Sequence, residues 1–507
     1  MSGFFENLSL GYQVAFSAAN LLYCFIGVFI GTLIGVLPGI GPVGTISMLL
    51  PVTFGISPTS AIIMLAGIYY GAQYGGSTTS ILVNIPGEVT SVVTCLDGYQ
   101  MARQGRAGPA LGIAAFGSFI AGTIGAIILM FVAQPLSGVG IKFGPPEYFS
   151  LIILALTLLS YLAHGSMVKA IIMAILGVGL SQIGIDVVTG RVRFTFGIID
   201  LEDGLGLAPV FMGLFGVGEV LVNLEESLYI EVFKAKIKGL LPNLKDWMES
   251  IGAIIRGTFL GFFLGVLPGG GAIISTFVSY ALEKKLSKHP EKFGKGVIEG
   301  VAGPESANNA ASSGAFIPLF ILGLPSNAIT ALLLGALMIH GVAPGPFLIS
   351  KHPEIFWGTI MSMYIGNVML LVLNLPLIGL WVKVLKVPYK VLFPILLLLC
   401  IIGSYSINSS KFDVFIMFIF GIIGYLFKKF DYEPAPLVMA FVLGPILENS
   451  LRQSLLISGG SMLIFLTKPI SVSCLIIALF VLLSPIILQK SRRIRSKISQ
   501  SSISDTP

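Results

Sequence analysis

The chain has 507 residues, of which 55% are hydrophobic and only 11% carry a formal charge. Soluble proteins contain about 25% charged residues, so this composition excludes a water-soluble globular protein and predicts one embedded in lipid. Five basic residues near the C-terminus contribute much of the net charge of +6. Membrane topology explains this cluster better than nucleic-acid binding does, so we expect no nucleic-acid partner.

The N-terminal region is almost free of charge, because residues 7–87 contain no Asp, Glu, Lys, Arg or His. One helix crosses the hydrocarbon core of a bilayer with roughly 20 apolar residues, so this run has room for several segments. Shorter uncharged runs recur up to residue 489. We therefore predict an all-α polytopic membrane protein with about ten to thirteen membrane segments, some of them partial.

Pro38 marks the first predicted break in a helix. Proline cannot donate a backbone hydrogen bond, and the neighbouring Gly39 and Gly41 allow a close approach of the backbone. A helix that resumes after the break points its free N–H groups and positive dipole end at the gap, so we predict that Gly39 and Gly41 bind substrate. The alternative is a kink between two ordinary helices. The preceding glycines at four-residue spacing, from Gly27 to Gly35, predict close helix packing rather than substrate contact.

A polar run from Tyr74 to Gly87 lies inside the same uncharged region. Irregular backbone at membrane depth persists only when it is buried in protein or lines a wet cavity, so we predict a re-entrant hairpin here. Hydroxyl and amide groups can bind a carboxylate, and their oxygens can coordinate Na⁺. The predicted substrate-binding residues of this run are Ser77, Thr78, Thr79 and Asn84, and Ser80 is a candidate for ion coupling. Hydrogen bonding between helices is the alternative role. Beyond the run, Asp97 is expected to cap a loop helix or to pair with Arg103 or Arg106.

The second half of the chain repeats the first. The fifteen residues from Gly257 to Gly271 are identical to those from Gly27 to Gly41 at nine positions, with an offset of 230 residues. A second broken helix is therefore predicted at Pro268, with Gly269 and Gly270 as substrate-binding positions. The predicted divisions are a first transmembrane repeat 1–224, an amphipathic charged linker 225–250, a second transmembrane repeat 251–468, an extra C-terminal transmembrane helix 469–489 and a basic tail 490–507.

Equivalent loops in the two halves differ in lysine content. Residues 283–299 contain five lysines, whereas residues 53–58 contain no charge. Lysine-rich loops face the cytoplasm, so the equivalent loops are expected on opposite sides and the two repeats are predicted to have inverted topology. The same rule places the basic C-terminal tail in the cytoplasm of a protein that crosses the inner membrane many times.

A second polar run extends from Pro304 to Asn327. An acid at membrane depth is a functional candidate, so Glu305 is predicted to take part in ion coupling, with H⁺ or Na⁺ as the ion. The predicted substrate-binding residues of this run are Asn308, Asn309, Ser312, Ser313, Ser326 and Asn327, and Asn309 is also a candidate for ion coupling. Hydrogen bonds between helices are again the alternative.

Motifs for catalysis are absent from the sequence. It contains no Gly-x-Ser-x-Gly, no His-Glu-x-x-His and no phosphate-binding Gly-x-x-x-x-Gly-Lys-Ser/Thr motif. The four cysteines and four histidines show no spacing typical of a metal site. We therefore expect neither an enzyme nor a cofactor, and no metal beyond a possible Na⁺.

The polar runs carry a family resemblance. Residues 70–88 closely resemble the first signature of the large membrane subunit of the tripartite tricarboxylate transporter family, and residues 96–112 look like its continuation. Residues 299–310 look like a second signature, an acid followed by paired asparagines. The family usually has Pro-Gly where this chain has Pro325-Ser326, so the geometry of the second hairpin departs from the pattern there.

The resemblance implies a three-part transport system. In that family a soluble extracytoplasmic solute-binding protein captures a di- or tricarboxylate, and a small membrane subunit of about four membrane-spanning helices accompanies the large one. The implied function is binding-protein-dependent import of a citrate-like substrate, driven by an ion gradient through alternating access. A stand-alone organic-anion carrier without a binding protein is the main alternative, and a membrane-embedded enzyme is a remote one.

Overall fold

A computed structural model of the chain describes residues 2–37, 41–162, 166–186, 188–225, 239–269, 271–385, 387 and 389–484. Within these ranges the protein is built almost entirely from helices, which confirms the predicted all-α membrane protein. The only β-structure described is a two-residue antiparallel pair, in which Gly184 faces Arg193 and Ile185 faces Val192.

Ten helices belong to the first part of the chain. They are α1 (Ser2–Ala15), α2 (Ala18–Val36), α3 (Gly41–Leu49), α4 (Pro58–Val83), α5 (Val92–Arg103), α6 (Ala107–Gly140), α7 (Pro145–Leu162), α8 (Met167–Leu180), α9 (Leu207–Phe211) and α10 (Gly218–Glu225). A π-helical stretch, Met212–Val217, joins α9 to α10, so the two form one continuous helix of 19 residues.

Twelve described helices follow. They are α11 (Leu244–Gly265), α12 (Gly271–Leu286), α13 (Glu299–Gly314), α14 (Ala328–Ile339), α15 (Leu348–Lys351), α16 (Pro353–Asn374), α17 (Ile378–Val384), α18 (Tyr389–Asn408), α19 (Lys411–Lys429), α20 (Ala435–Ile457), α21 (Ile464–Thr467) and α22 (Pro469–Ser484). Helix α11 begins inside the predicted linker 225–250, of which residues 226–238 lie outside the described residues.

Six of the described helices are long and apolar enough to cross a membrane. They are α2, α6, the continuous helix from α9 to α10, α11, α16 and the Val391–Asn408 part of α18. Four shorter apolar helices, α7, α8, α14 and α22, accompany them. The protein is therefore a multi-pass membrane protein, and the total of about ten to thirteen segments stays a prediction.

Both Gly-Val-Leu-Pro-Gly stretches separate two helices. Helix α2 ends at Val36 and α3 begins at Gly41, while α11 ends at Gly265 and α12 begins at Gly271. Gly269 has a φ of +103°, and a Cβ atom there would lie 2.8 Å from the Cα atom of Leu159 on α7. Only glycine combines this φ with this approach. Pro38, Gly39 and Gly270 lie outside the described residues.

The glycines that precede each break pack one helix tightly against another. A Cβ atom on Gly31 of α2 would lie 2.6 Å from the carbonyl oxygen of Ile68 on α4. A Cβ atom on Gly261 of α11 would lie 2.1 Å from the carbonyl oxygen of Ala307 on α13. The glycines thus serve helix packing, as predicted, and the two halves use the same device in equivalent helix pairs.

Helices α4 and α13, which carry the two polar runs, lie antiparallel. Near one end Tyr69 of α4 lies beside Phe316, two residues after the end of α13, with ring centroids 6.3 Å apart, and further along Ser77 contacts Glu305 of α13. Sequence numbers therefore rise along one helix as they fall along the other. An antiparallel arrangement of equivalent helices is what inverted repeats require, and the symmetry relation itself stays a prediction.

Asp97 binds the loop between α12 and α13. Its carboxylate accepts hydrogen bonds from the backbone N–H groups of Gly296 and Val297, at 2.7 and 3.0 Å, and from the hydroxyl group of Tyr280 at 2.8 Å. The expected pairing of Asp97 with Arg103 or Arg106 is wrong. The guanidinium of Arg106 binds Asp246 instead, at the start of α11.

Candidate functional site

A cavity of about 470 Å³ lies where four helices begin. Residues at or beside the N-termini of α3, α12, α14 and α20 line it, including Gly41, Ala272, Ala328 and Ala435. Two of these helices, α3 and α12, are the ones that resume after the breaks, and α14 follows the second hairpin turn. Each helix start carries free N–H groups and the positive end of a dipole, so their convergence makes the cavity attractive to anions.

The second break and the second hairpin are joined by a backbone hydrogen bond. The N–H group of Gly269 donates to the carbonyl oxygen of Ser326 at 2.9 Å. Asn327 then caps α14, because its side-chain oxygen accepts from the N–H group of Thr330 at 2.9 Å. The side-chain amide of Asn327 also donates to the hydroxyl oxygen of Tyr69, at 2.9 Å, so this amide is fixed at the cavity wall.

The first hairpin turn brings Glu88 to the same cavity. Helix α4 ends at Val83, the following Asn84 has a φ of +57°, and the chain then turns back toward α5. Gly87 packs so closely here that a Cβ atom would lie 2.0 Å from the carbonyl oxygen of Gly35 on α2. The carboxylate of Glu88, in the next residue, lines the cavity. It accepts hydrogen bonds from the hydroxyl group of Thr90 and the side-chain amide of Asn308, at 2.5 and 3.4 Å.

Among the described residues, four charged side chains line the cavity. Glu219 on α10 and Lys428 on α19 form an ion pair with each other. Glu88 and Glu433 are the other two. Lys428 and Glu433 also line a second, larger cavity of about 930 Å³, which lies beside the first and is bordered by Lys169. The ion pair therefore stands at the boundary between the two cavities.

Glu305 forms a buried polar cluster on α13, and it does not line the cavity. Its side chain is 0% exposed and contacts the hydroxyl groups of Ser77, at 2.5 Å, and Thr94. One turn further along α13, the side-chain amide of Asn309 donates to the hydroxyl oxygen of Ser118 on α6 at 2.7 Å. This cluster ties α4, α5, α6 and α13 together.

The predicted site residues fall into four groups. Those that line the cavity are Gly41, Gly269 and Asn327. Those buried around it or in the polar cluster are Ser77, Thr78, Thr79, Ser80, Glu305, Asn308, Asn309, Ser312, Ser313 and Ser326. Asn84 is exposed, and Gly39 and Gly270 lie outside the described residues. Among the buried hydroxyl groups, that of Thr79 donates to Gly76 and that of Ser80 to Ser91, each to a backbone carbonyl.

Two buried polar atoms near the cavity have no hydrogen-bond partner among the described residues. They are the side-chain oxygen of Asn308 and the hydroxyl oxygen of Ser326. Leaving such a group unpaired costs on the order of 1–3 kcal/mol, so both positions favour an additional partner. Within the described ranges, no group of three or more His, Cys, Asp or Glu side chains is arranged to hold a metal ion.

Several cavity residues were missed from the sequence. Tyr69 and Gln73 precede the polar run on α4, and Glu219 and Lys428 come from helices outside both runs. For Glu88 a signal was present, because it is the first charged residue after 81 uncharged ones and directly follows a Pro-Gly turn. An acid in that position is a functional candidate for the same physical reason as Glu305.

The comparisons with known proteins place this chain in one family. Residues 21–439 match the family described as Tripartite tricarboxylate transporter TctA family. The chain is 51% identical over 479 residues, 94% of its length and 95% of the relative, to an Agrobacterium vitis protein named "Uncharacterized 52.8 kDa protein in TAR-I ttuC' 3'region". It is also 51% identical over 245 residues, 48% of its length, to the whole of an Agrobacterium vitis protein named "Uncharacterized protein in TAR-II ttuC' 3'region". No solved structure matches the chain.

Proposed function

The chain belongs to the tripartite tricarboxylate transporter TctA family, and we propose that it is the translocation subunit of a secondary transporter that imports di- or tricarboxylates. The observation that carries the proposal is the convergence of four helix N-termini on one cavity of about 470 Å³. This volume lies within the range of roughly 300–1,000 Å³ that small-molecule sites usually have. The protein acts in transport, and we propose no catalytic activity for it.

Substrate carboxylates would bind at the helix N-termini. The α12 and α14 starts lie together at the Gly269–Ser326 hydrogen bond, and the amide of Asn327 and the hydroxyl group of Tyr69 stand beside them. These groups donate hydrogen bonds without adding fixed charge, which suits a substrate that must also be released. The start of α3 at Gly41 offers a second anion-binding position on the opposite element of the repeat.

Lys428 supplies the cation for a further carboxylate. It lines the cavity and is held by Glu219, so an incoming carboxylate can exchange with Glu219 at the ammonium group. The larger cavity next to this pair is bordered by Lys169, Lys428 and Lys429. We propose that substrate passes from the first cavity to the second by way of this exchange.

Alternating access would follow from the two repeats. The equivalent helices α4 and α13 lie antiparallel, and each half contributes one broken helix and one hairpin to the cavity. In inverted-repeat transporters such elements move against the rest of the protein and open the site to each side in turn. An ion gradient would drive the cycle, with Glu305, Ser80 and Asn309 as coupling candidates and H⁺ or Na⁺ as the ion.

The partners follow from the family as proposals. A soluble extracytoplasmic binding protein would deliver the carboxylate, and a small membrane subunit would complete the transporter. The lysine-rich loop between α12 and α13 supports a cytoplasmic position for that end of the protein, and the basic tail 490–507 supports a cytoplasmic C-terminus in the inner membrane.

The test is uptake of radiolabelled carboxylates by cells that carry the chain with its genomic neighbours. The panel would comprise succinate, malate, tartrate and citrate, which differ in hydroxyl and carboxylate number. We expect saturable accumulation of at least one member, and Asn327→Ala should raise its apparent KM at least fivefold. Asn84→Gly is the matched control, because Asn84 is exposed and glycine tolerates its positive φ. Absence of uptake of every member would overturn the proposal, and uptake without a binding protein would favour a stand-alone carrier.

A further inference from the structure

Glu88 places a carboxyl group in a cavity whose helix N-termini attract anions. It stands at the tip of the first hairpin and faces the same space as Gly41, Gly269 and Asn327. A substrate carboxylate in this cavity would therefore share a mostly apolar space with a second carboxylate. Like charges in such a space repel strongly when water is excluded, and one of them is then favoured in its neutral form.

No cation in the described part of the chain offsets the charge of Glu88. Its oxygen Oε1 contacts the Thr90 hydroxyl group and the Asn308 amide, and it forms no ion pair with a described Lys, Arg or His. The cationic side chain of the cavity lining, Lys428, pairs with Glu219 or, after the proposed exchange, with one substrate carboxylate, which then leaves Glu219 unneutralised. In either state the charge of Glu88 and that of a further carboxylate share the cavity without a cation of their own.

The other ionisable groups that line the cavity or lie behind its wall do not offset the charge of Glu88. They are Tyr69 on α4, Glu305 on α13, Glu219 on α10, Lys428 on α19 and Glu433 before α20. The part of α12 that faces the cavity, from Gly271 to Ser279, contains no ionisable side chain. Among the described residues of the cavity lining, Lys428 is the one cationic side chain, and Glu219 pairs with it.

Thr90 can exchange one hydrogen bond as Glu88 changes its protonation state. The hydroxyl oxygen of Thr90 lies 2.5 Å from Oε1 of Glu88 and 2.8 Å from Oε1 of Gln73. When Glu88 is protonated, its O–H group can donate to Thr90, which then donates to Gln73, so both contacts are hydrogen bonds. When Glu88 is ionised, the single proton of the Thr90 hydroxyl group goes to Glu88, and the contact with Gln73 is no longer a hydrogen bond. Uptake and release of a proton at Glu88 therefore exchange one hydrogen bond of Thr90.

From this arrangement we propose that Glu88 carries the coupling proton, so that the transporter is an H⁺ symporter. Glu88 takes up H⁺ on the side from which the carboxylate enters, and the neutral acid and the substrate anion occupy the cavity together. The proton and the substrate leave on the other side, where the O–H bond of Glu88 breaks, and the ionised side chain of Glu88 then returns to the first side. The inference rests on the proposed function and deepens it by naming the ion and the group that carries it. Glu305 is the less suitable carrier, because it is fully buried and lies outside the cavity lining.

The experiment uses the transporter complex reconstituted into liposomes, with the panel carboxylate that the wild type accumulates as the probe. We expect an inward proton gradient, in the absence of Na⁺, to drive accumulation, and we expect the external medium to become alkaline during uptake. Glu88→Gln should lower the rate of proton-driven accumulation. This loss should be at least ten times the loss in the rate of exchange between internal and external probe, because exchange needs no net proton movement. Glu354→Gln, at an exposed position on α16, is the control and should behave as wild type.

Each outcome decides the inference. Wild-type accumulation that requires Na⁺ and ignores the proton gradient would overturn it and leave the proposed function intact. Retention of proton-driven accumulation by Glu88→Gln, or its selective loss in Glu305→Gln instead, would also overturn it. If Glu88→Gln does not fold, Glu88→Asp and the wild type test the inference instead. Both should take up a proton with each probe anion. Uptake by the wild type without alkalinisation of the medium would contradict the inference. Failure of the wild type to accumulate any panel member is a failure of the proposed function itself.

Discussion

The hydroxyl oxygen of Ser77 on α4 lies 2.5 Å from Oε2 of Glu305 on α13, so a polar run of the first half meets the acid of the second. The same hydroxyl oxygen lies 2.9 Å from the backbone carbonyl oxygen of Gln73, which can only accept a hydrogen bond. A serine hydroxyl group has one proton. Both contacts are therefore hydrogen bonds only when Glu305 is a neutral acid that donates to Ser77, and in that form its other oxygen still accepts from Thr94.

This relationship predicts that Glu305→Gln folds and that Glu305→Ala is strongly destabilised. Glutamine can donate to Ser77 and accept from Thr94 as the neutral acid does, whereas alanine leaves both hydroxyl groups without their partner. Each unpaired buried group costs roughly 1–3 kcal/mol. Thermal unfolding of the purified variants in detergent measures the difference, with the exposed Glu354→Ala as a control. Equal stability of the glutamine and alanine variants would contradict the assignment of a neutral acid.

The glycines that precede the second break lead to a packing prediction. The Cβ atom of a Gly261→Ala variant would lie 2.1 Å from the carbonyl oxygen of Ala307, so α11 and α13 would have to move apart. Overpacking of this kind typically costs about 1–3 kcal/mol, and it should lower the melting temperature and the amount of protein in the membrane. Gly379→Ala is the matched control, because no atom lies within 4 Å of its added Cβ. An unchanged melting temperature for Gly261→Ala would show that the helices separate without cost.

The sequence predicts some parts of this protein well, and the reason is physical. Proline, glycine and clustered hydroxyl groups act on the backbone next to them, so the breaks before Gly41 and Gly271 and the role of Gly261 could be read locally. The cavity lining depends on contacts between distant elements, such as those of Tyr69 with Asn327 and of Glu219 with Lys428. No local sequence pattern predicts these pairs. The sequence around a lysine at a helix end does not distinguish a side chain that faces lipid headgroups from one that faces a cavity.

Asp186, in the connection between α8 and α9, leads to a prediction about pH. The hydroxyl group of Thr189, together with the N–H group of Val188 and the guanidinium groups of Arg452 and Arg193, holds the pKa of Asp186 well below its usual range. A lowered pKa stabilises the fold above the ordinary pKa of aspartate, and this contribution is lost as the pH falls toward the lowered value. Asp186→Asn should therefore lower the melting temperature at about pH 7, and its difference from wild type should shrink toward about pH 3.

Melting curves at several pH values check this expectation. Asp200→Asn, at an exposed position in the same connection, serves as the control and should follow the wild type at each pH. Arg193 and Arg452 also bind Glu448, at 2.9 and 2.6 Å, so the variant keeps part of the network and should still fold. A difference that stays constant from neutral to acid pH would mean that the charge of Asp186 contributes nothing to stability.

The paired asparagines of α13 are predicted to have different roles. Asn309 is satisfied within the protein, because its amide donates to Ser118 and to the backbone carbonyl of Glu305. Asn309→Ala should therefore lower stability by roughly 1–3 kcal/mol and change the apparent KM little once uptake is normalised to folded protein.

Asn308 points its amide at Glu88, at 3.4 Å, and its buried side-chain oxygen has no described partner. Asn308→Ala should leave folding closer to wild type and raise the apparent KM at least fivefold. Uptake kinetics per folded protein, in cells that also supply the binding protein, separate the two effects. Equal changes in KM for both variants would assign both asparagines to the substrate, and unchanged KM in both would assign both to helix packing.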